Sequence, residues 1–282
     1  DDSPHLSRHW SDCDVVVEAV FESLDLKRQI LADVEAVTPS HCVFATNTSA
    51  IPIASIADGC ARPQNVVGMH YFSPVPSMPL LEIIPHDGTS DEALAAAFDL
   101  GTRQGKTVVV VKDVPGFYVN RCLGPFLVEV SALVRDGADL EVLDESMKKF
   151  GMPVGPVTLA DEVGMDVTYH VAKFLSEADL GTRMEGGDVR LMEGMVERGW
   201  LGKKSGKGFY AYGDGGKKKG KGKKVLNPEV KDYIRDFTAG HPKVQNLDAQ
   251  EMQDRMVTRF VNEAVKCLED DIIADPIAGD IG

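Results

Sequence analysis

Several features that would place this 282-residue chain in a special class are missing from it. Its five cysteines are scattered without a CxxC pair, which argues against disulfides or a zinc framework and favours reduced thiols in an intracellular compartment. No apolar run reaches the roughly 18 residues of a membrane span, and no basic-then-apolar signal opens the chain. Acidic residues outnumber basic ones, which gives a net charge of -14. Because such a surface would not neutralise phosphates, we expect no nucleic-acid partner.

The first 113 residues alternate between short apolar runs and amphipathic stretches. The runs predict strands at 14–20, 42–46, 65–70, 80–84 and 107–111. Ser23 and Ser90 each precede a helical pattern and are typical helix N-caps. This order predicts an α/β domain with a mostly parallel sheet covered on both faces, in which ligands lie beyond the carboxyl ends of the strands.

From Pro115 onward the strand pattern stops and helical spacing replaces it. Amphipathic stretches predict helices at 119–135, 140–150, 159–175 and 188–198. A segment rich in lysine and glycine predicts a solvated linker. The resulting divisions are a sheet domain at 1–113, an all-α domain at 114–212, the linker at 213–227, and the start of a second helical repeat at 228–282.

The second repeat is indicated by four residues that recur 134 positions further along the chain. The matched pairs are Arg121 and Arg255, Phe126 and Phe260, Glu129 and Glu263, and Asp136 and Asp270. Four matches on one helical frame predict a duplicated helical unit. Because the chain stops where the second copy should continue, we expect a C-terminus that has been cut.

A histidine and a glutamate in the sheet half are the strongest candidates for chemistry. His70 ends one apolar run, and Glu82 is the one carboxylate in the next run. A buried carboxylate needs a partner, and an imidazole held by it is a minimal general base. Asn47 and Ser49 also lie where a run ends, which favours a catalytic role for His70. The structural alternative is that His70 caps a strand and Glu82 lies at a solvated edge.

A set of motifs runs in one order through residues 14–212: 17–22, 47–49, 68–74, 81–82, 113–117, 120–121, 155–156 with Asp161, and 204–210. In these motifs the chain resembles the L-3-hydroxyacyl-CoA dehydrogenase family. It is most similar to the multifunctional members, the α subunits of trifunctional fatty-acid β-oxidation enzymes, because these share the second helical unit and the motif at 259–264. The resemblance implies a Rossmann-like NAD-binding domain followed by a helical C-terminal domain.

The same resemblance implies an activity, the oxidation of L-3-hydroxyacyl-CoA to 3-ketoacyl-CoA with NAD as cofactor. His70 is then the general base, and Glu82 fixes its tautomer. The other positions carried over from the family are Ser49 and Asn120 for the substrate, and Glu22, Lys27 and Asn47 for the cofactor. No metal is implied.

One departure from the family concerns glycine, since none precedes Gly59 and the dinucleotide fingerprint is therefore missing. Relative to the family, we expect the chain to begin after the first two βα units and to lack the hydratase domain of the multifunctional members. We expect a truncated Rossmann sheet that binds NAD weakly, is inactive alone, and self-associates through the strand around 15–17.

Two other interpretations stay open. The chain could be a non-catalytic binding or assembly fragment of the multifunctional enzyme. A 6-phosphogluconate-type dehydrogenase fits the architecture but requires a lysine four positions before Asn120, where Gly116 stands. The family resemblance further implies a thiolase β subunit as partner and a mitochondrial location, in the matrix or at the inner membrane, with the bacterial cytoplasm as the alternative.

Overall fold

The computed structural model describes residues 10–178, 180–213, 224–245 and 247–282. The chain divides into two compact units. The sheet unit contains the residues up to Asn120 together with Ala264–Gly282, and the helical unit contains Arg121–Glu263. Residues 214–223 of the linker predicted at 213–227 lie outside the described residues.

One five-stranded sheet, in the order β1-β2-β3-β4-β5, forms the centre of the sheet unit. Its strands are β1 (Val15–Glu18), β2 (Val43–Thr46), β3 (Val66–Tyr71), β4 (Leu80–Pro85) and β5 (Thr107–Val110). Every neighbouring pair is parallel except β3 and β4, which are antiparallel. The sheet is therefore mostly parallel as predicted, but it contains a reversal that apolar periodicity does not reveal.

Three helices cover this sheet: α1 (Leu24–Val37), α2 (Ile53–Ala57) and α3 (Asp91–Arg103). The predicted caps are confirmed, because Ser23 Oγ accepts a hydrogen bond from Leu26 N and Ser90 Oγ accepts one from Ala93 N. Apolar side chains form the buried layer between α3 and the sheet, namely Val43, Ala45, Val67, Met69, Leu81, Ile83, Ala93 and Ala97. This layer holds the central strands rigid where their polar residues emerge.

Helices dominate the helical unit: α4 (Val119–Asp136), α5 (Leu140–Phe150), α6 (Pro156–Val163), α7 (Met165–Glu177), α8 (Arg190–Glu197), α9 (Pro228–Phe237) and α10 (Ala249–Glu269). The single helix predicted at 159–175 is wrong. Gly164 has φ +103°, in the left-handed region that favours glycine, and it separates α6 from α7. Two short strands, β6 (Tyr210–Ala211) and β7 (Val225–Leu226), also form an antiparallel pair that the sequence did not indicate.

Helices α4 and α10 carry the predicted repeat and meet through reciprocal contacts. Arg121 Nε lies 2.8 Å from Glu263 Oε1, and Arg255 Nε lies 2.8 Å from Glu129 Oε1. The repeated phenylalanines meet edge to face, with ring centroids 6.0 Å apart. Reciprocal pairing is what a local two-fold relation between two copies produces. The contacts therefore support the duplicated helical unit.

The residues after Glu263 return to the sheet unit. Lys112 N donates to Ile272 O at 2.9 Å, and Val111 forms an isolated antiparallel bridge with Ile273. A last helix, α11 (Pro276–Ile281), follows, and Gly279 O accepts a hydrogen bond from Tyr118 Oη at 3.0 Å. The sheet unit is thus discontinuous in sequence. Among the described helices, none combines the length and apolar character that crossing a membrane requires.

Candidate active site

The candidate base and its carboxylate partner lie directly opposite each other on neighbouring strands. His70 on β3 is in register with Glu82 on β4, and such a pair projects from the same face of the sheet. His70 Nδ1 lies 2.7 Å from Glu82 Oε2, and the two residues are only 4% and 0% exposed. This geometry assigns the Nδ1 proton to the bond with Glu82 and leaves Nε2 as the basic nitrogen.

The second carboxylate oxygen of Glu82 holds the start of α4. Its Oε1 accepts hydrogen bonds from Tyr118 N at 3.0 Å and from Val119 N at 2.9 Å. Amides at a helix N-terminus have no partner within the helix and attract negative charge. Glu82 is therefore fully satisfied although it is excluded from water, which rules out the solvated-edge alternative.

Two aromatic rings flank the imidazole. The centroid of the His70 ring lies 4.4 Å from that of Phe72 and 5.7 Å from that of Phe117. No further hydrogen bond from the described residues reaches the imidazole. Its Nε2 is therefore available to a ligand, while the rings restrict the rotation of the side chain.

The two predicted substrate residues are brought together. Asn120 Nδ2 donates to Ser49 O at 3.0 Å, and Ser49 N donates to Glu22 Oε1 at 2.9 Å. The backbone of Ser49 is therefore held on both sides. Its half-buried side-chain hydroxyl forms no hydrogen bond with another described residue, so it can bind a ligand.

Glu22 organises the loop that carries Ser49. Besides Ser49 N, its Oε1 accepts hydrogen bonds from Thr48 Oγ1 at 2.6 Å and from Ala50 N at 3.2 Å. Three donors on one oxygen fix the loop after β2 against the start of α1. The carboxylate is partly exposed, so it can also face a cofactor.

The ammonium group of Lys27 lies inside the unit rather than at its surface. The residue is 0% exposed, and its Nζ lies 2.8 Å from Glu18 Oε1 and 3.4 Å from Glu22 Oε2. Glu18 is buried too and also accepts from Thr46 Oγ1 at 2.7 Å. Lys27 is therefore placed to hold two carboxylates, and a direct contact with the cofactor stays a prediction.

Asn47 likewise has an internal partner, because its Oδ1 accepts a hydrogen bond from Tyr71 N at 2.8 Å. This bond joins the residue after β2 to the end of β3, next to His70. The amide nitrogen of Asn47 keeps its capacity to donate. Its assignment to the cofactor also stays a prediction.

Sequence reasoning gave no role to three residues near the site. Glu18 contacts Lys27 and Phe117 contacts His70, while Asp113 accepts hydrogen bonds from the amides that open α2. Glu18 had a readable signal, since it is the one carboxylate at the end of the apolar run of β1, the pattern that identified Glu82. Asp113 and Phe117 had none, because their positions depend on backbone turns between β5 and α4.

The described residues fit one end of NAD. The carboxyl ends of β1 and β2 carry Glu18–Glu22 and Thr46–Ser49, at the edge of the sheet where nucleotides bind in such folds. The pyrophosphate requires amides of a glycine-rich turn, and no glycine precedes Gly59. The predicted contact of this end of the cofactor with Glu22, which Lys27 pairs with from inside the unit, stays a prediction.

Comparison with known proteins adds two family models. Residues 3–114 match the model "3-hydroxyacyl-CoA dehydrogenase, NAD binding domain", and residues 116–212 match "3-hydroxyacyl-CoA dehydrogenase, C-terminal domain". Among curated relatives, the fatty acid oxidation complex subunit alpha of Vibrio parahaemolyticus is 46% identical over 273 residues. That match covers 97% of this chain but only 37% of the relative. The chain thus spans little more than a third of the length of such relatives.

Solved structures give the same picture. The chain matches (S)-3-hydroxybutyryl-CoA dehydrogenase PaaH1 from Ralstonia eutropha with 37% identity and a TM-score of 0.69, covering 74% of each chain. It matches the dehydrogenase part of multifunctional enzyme 1 from C. elegans with 28% identity and a TM-score of 0.65. The second match covers 98% of this chain and 61% of the other, so it extends beyond residue 212 into α9 and α10.

Proposed function

Because the chain belongs to the 3-hydroxyacyl-CoA dehydrogenase family, we propose that it carries out the oxidation of L-3-hydroxyacyl-CoA to 3-ketoacyl-CoA within a fatty-acid β-oxidation enzyme. The observation that carries this proposal is the dyad, in which His70 Nδ1 lies 2.7 Å from a fully buried Glu82. A base oriented in this way, beside a half-buried serine hydroxyl, suits proton removal from a substrate alcohol.

His70 Nε2 takes the proton of the 3-hydroxyl group as the carbon–oxygen single bond becomes a carbonyl. NAD supplies the acceptor for the hydride that leaves the same carbon, so the products are the ketone, NADH and one proton. Glu82 stabilises the imidazolium that forms, and general-base catalysis of this kind typically contributes about 10²–10⁴-fold. The proton then passes from Nε2 to solvent.

Ser49 and Asn120 hold the substrate in the reactive orientation. The Ser49 hydroxyl donates to the oxygen of the reacting carbon, and the fixed amide of Asn120 keeps the Ser49 backbone in place while its Oδ1 remains free to accept. Glu22 and Asn47 face the nicotinamide end of the cofactor, and Lys27 supports Glu22 from within the unit. Fixed groups of this kind lower the cost of orienting the reactants.

A substitution of His70 in the full-length protein tests the proposal, with NADH formation as the readout. We expect His70→Gln to lower kcat by about 10²–10⁴-fold while NADH affinity stays unchanged, since the side chain acts only on the proton. His41→Gln is the matched control, because His41 pairs with Asp14 at the exposed surface. Near-normal turnover of His70→Gln would exclude the assignment. Glu82→Gln should retain more activity, with a displaced pH optimum.

The relatives bear on the cellular setting, and the family resemblance implies the partner. The curated relatives matched at 44% to 46% identity are bacterial proteins named as α subunits of a fatty acid oxidation complex. This favours the bacterial cytoplasm over the mitochondrial setting that the resemblance first implied. A thiolase β subunit is the partner we expect in such a complex. Co-purification of a thiolase with the full-length protein tests this expectation, and a stable assembly without one would contradict it.

The second candidate function, an assembly role for the chain, has one observation in its favour. β1 is an edge strand among the described residues, and its Val17 is 40% exposed. Open edges of this kind pair with other chains. A sedimentation concentration series tests self-association, with Val17→Lys as the variant that should abolish it. A strictly monomeric wild-type chain would exclude this candidate.

A further inference from the structure

The segment that leads from β5 into the first turn of α4 makes contacts near the site that the proposed mechanism does not use. Residues 113–120 contain Asn120 and a motif, 113–117, with no assigned role. Two successive residues in it, Gly116 at φ +78° and Phe117 at φ +50°, adopt the left-handed backbone region. Glycine does so freely, but for phenylalanine this backbone conformation is strained. A strained, completely buried phenylalanine therefore needs an explanation.

The left-handed turn orients the next two backbone amides. Immediately after Phe117, the N–H groups of Tyr118 and Val119 both point at Glu82 Oε1. The ring of Phe117 meanwhile packs against the imidazole of His70, on which Phe72 also packs. Phe117 thus acts on both members of the dyad. Its backbone turn orients the amides that bind Glu82, and its ring restricts the rotation of the His70 side chain.

The other end of the segment holds the substrate loop. Asp113 Oδ1 accepts from Ile53 N and Asp113 Oδ2 accepts from Ala54 N, both at 2.8 Å. These amides open α2, which follows directly on the loop of Ser49. Burial raises the pKa of the Asp113 carboxyl, and the two amide donors oppose that rise. The carboxylate therefore fixes the far end of the loop whose near end is fixed by Glu22.

We propose that residues 113–120 form a single positioning element, in which Asp113 places the Ser49 loop and Phe117 places the His70–Glu82 dyad. The inference rests on the proposed function, because it concerns the geometry of that same reaction. Asn120, at the end of the element, joins the two halves through its bond to Ser49 O. Neither Asp113 nor Phe117 touches the reacting atoms, so both act through other residues.

The first test separates geometry from folding. We expect Asp113→Asn, which keeps the shape but turns an amide donor toward an N–H group, to lower kcat of the full-length protein roughly 10- to 100-fold with NADH affinity unchanged. Asp58→Asn is the matched control, because Asp58 is an exposed carboxylate that pairs with Arg28. Asp113→Ser serves as the second variant if Asp113→Asn does not fold.

The second test separates the ring of Phe117 from its backbone. Phe117→Gly keeps the left-handed turn without strain but removes the ring, whereas Phe117→Leu keeps apolar volume and the strain. We expect both to displace the pH profile of kcat, and Phe117→Gly to lower kcat by roughly tenfold or more because His70 rotates freely. Phe98→Leu is the control, since Phe98 lies far more exposed on α3. Unchanged pH profiles in both Phe117 variants would overturn this half of the proposal.

Amide hydrogen exchange tests the positioning role of Asp113 without a measurement of turnover. In Asp113→Asn, exchange should accelerate at residues 49–51 as well as at Ile53 and Ala54. Acceleration confined to Ile53 and Ala54, with kcat unchanged, would show that Asp113 is only a helix cap. If the wild-type protein lacks dehydrogenase activity, the proposed function fails, whereas the exchange pattern still decides whether residues 113–120 position the loop.

Discussion

Helices α4 and α10 present arginine, phenylalanine and glutamate to each other at equal spacing, yet they differ at the position before the arginine. In α4 this position is Asn120, whose amide holds the Ser49 backbone. In α10 it is Asp254, which accepts a hydrogen bond from Gln250 on the exposed surface. At this position α4 contacts the predicted substrate residue Ser49, whereas α10 faces the exposed surface.

The arginine side chains that pair with the two repeated glutamates also differ in burial. Each glutamate receives two arginines: Glu263 receives Arg121 and Arg183, and Glu129 receives Arg255 and Arg259. The arginines on Glu263 are 6% and 17% exposed, while those on Glu129 are both 25% exposed. If the predicted duplication holds, the two helices keep the same supporting arginine–glutamate contacts, whereas the predicted substrate residue Asn120 lies on α4.

We expect the largest effect from substitutions at the position where the two helices differ, which is Asn120 in α4 and Asp254 in α10. Asn120→Ala in the full-length protein should lower kcat/KM by about 10²–10³-fold, since it releases the Ser49 loop and removes a substrate contact. Asp254→Ala, at the matching position, should leave kcat/KM unchanged. Steady-state kinetics with a 3-hydroxyacyl-CoA substrate measures both. Equal losses in the two variants would mean that the second copy also serves the site.

Replacing each repeated glutamate tests whether the burial of its arginines determines how much the cluster stabilises the fold. Glu263→Gln should lower the free energy of unfolding by about 3 kcal/mol, because the buried Arg121 and the mostly buried Arg183 both lose this carboxylate. Glu129→Gln should cost closer to 1 kcal/mol, since its arginines reach water more easily. Denaturant unfolding measures the two differences. A larger loss for Glu129→Gln would refute the argument from burial.

The repeated phenylalanines give a smaller difference. Phe126 is almost completely buried and Phe260 only partly, so Phe126→Leu should cost about 1–2 kcal/mol and Phe260→Leu less than about 1 kcal/mol. The double variant should reveal a coupling of roughly 0.5–1.5 kcal/mol from the edge-to-face contact. Strict additivity of the two losses would show that the rings contribute only by their area.

We expect the smallest effect from the titration of Asp161, a buried carboxyl group in the helical unit. Burial raises the pKa of Asp161 from 3.8 to about 6, although its carboxyl accepts from Phe209 N, Tyr210 N and Tyr212 Oη. The folded state therefore binds this proton more tightly than the unfolded state. The stability it contributes is complete below pH 3.8 and is lost as the pH rises through about 6.

The measurement is the difference in unfolding free energy between the wild type and Asp161→Asn. Because asparagine does not titrate, that difference should change between about pH 4 and pH 6 in favour of the variant and stay constant above pH 7. Glu162→Gln is the control at the neighbouring exposed carboxylate, which pairs with Lys203. A constant difference throughout would indicate that Asp161 keeps an ordinary pKa.

Much of this arrangement could be predicted from single residues in apolar surroundings. His70 and Glu82 were identified because each is the polar member of a buried run, and Ser23 and Ser90 because a serine before a helical pattern is a cap. The equal spacing of arginine, phenylalanine and glutamate on α4 and α10 was also visible in the sequence, and in the structure these side chains contact each other; the duplication itself stays a prediction.

The remainder depended on tertiary geometry. Apolar periodicity locates a strand but not its direction, so the antiparallel β4 that sets Glu82 opposite His70 was not predicted. The burial of Lys27 was not predicted, because its partner Glu18 comes from another element. The left-handed backbone of Phe117 could not be foreseen, since that residue type rarely adopts it.

The discontinuity of the sheet unit has a consequence for synthesis on the ribosome. Ile272 and Ile273 pair beside β5, but about 160 residues separate them from it, and nascent chains grow at roughly 5–20 residues per second. The strands therefore wait for several seconds, while the intervening helices emerge, before their last partners arrive. During that interval the edge at Val111 is uncovered, so the growing chain should depend on chaperones more than the finished protein does.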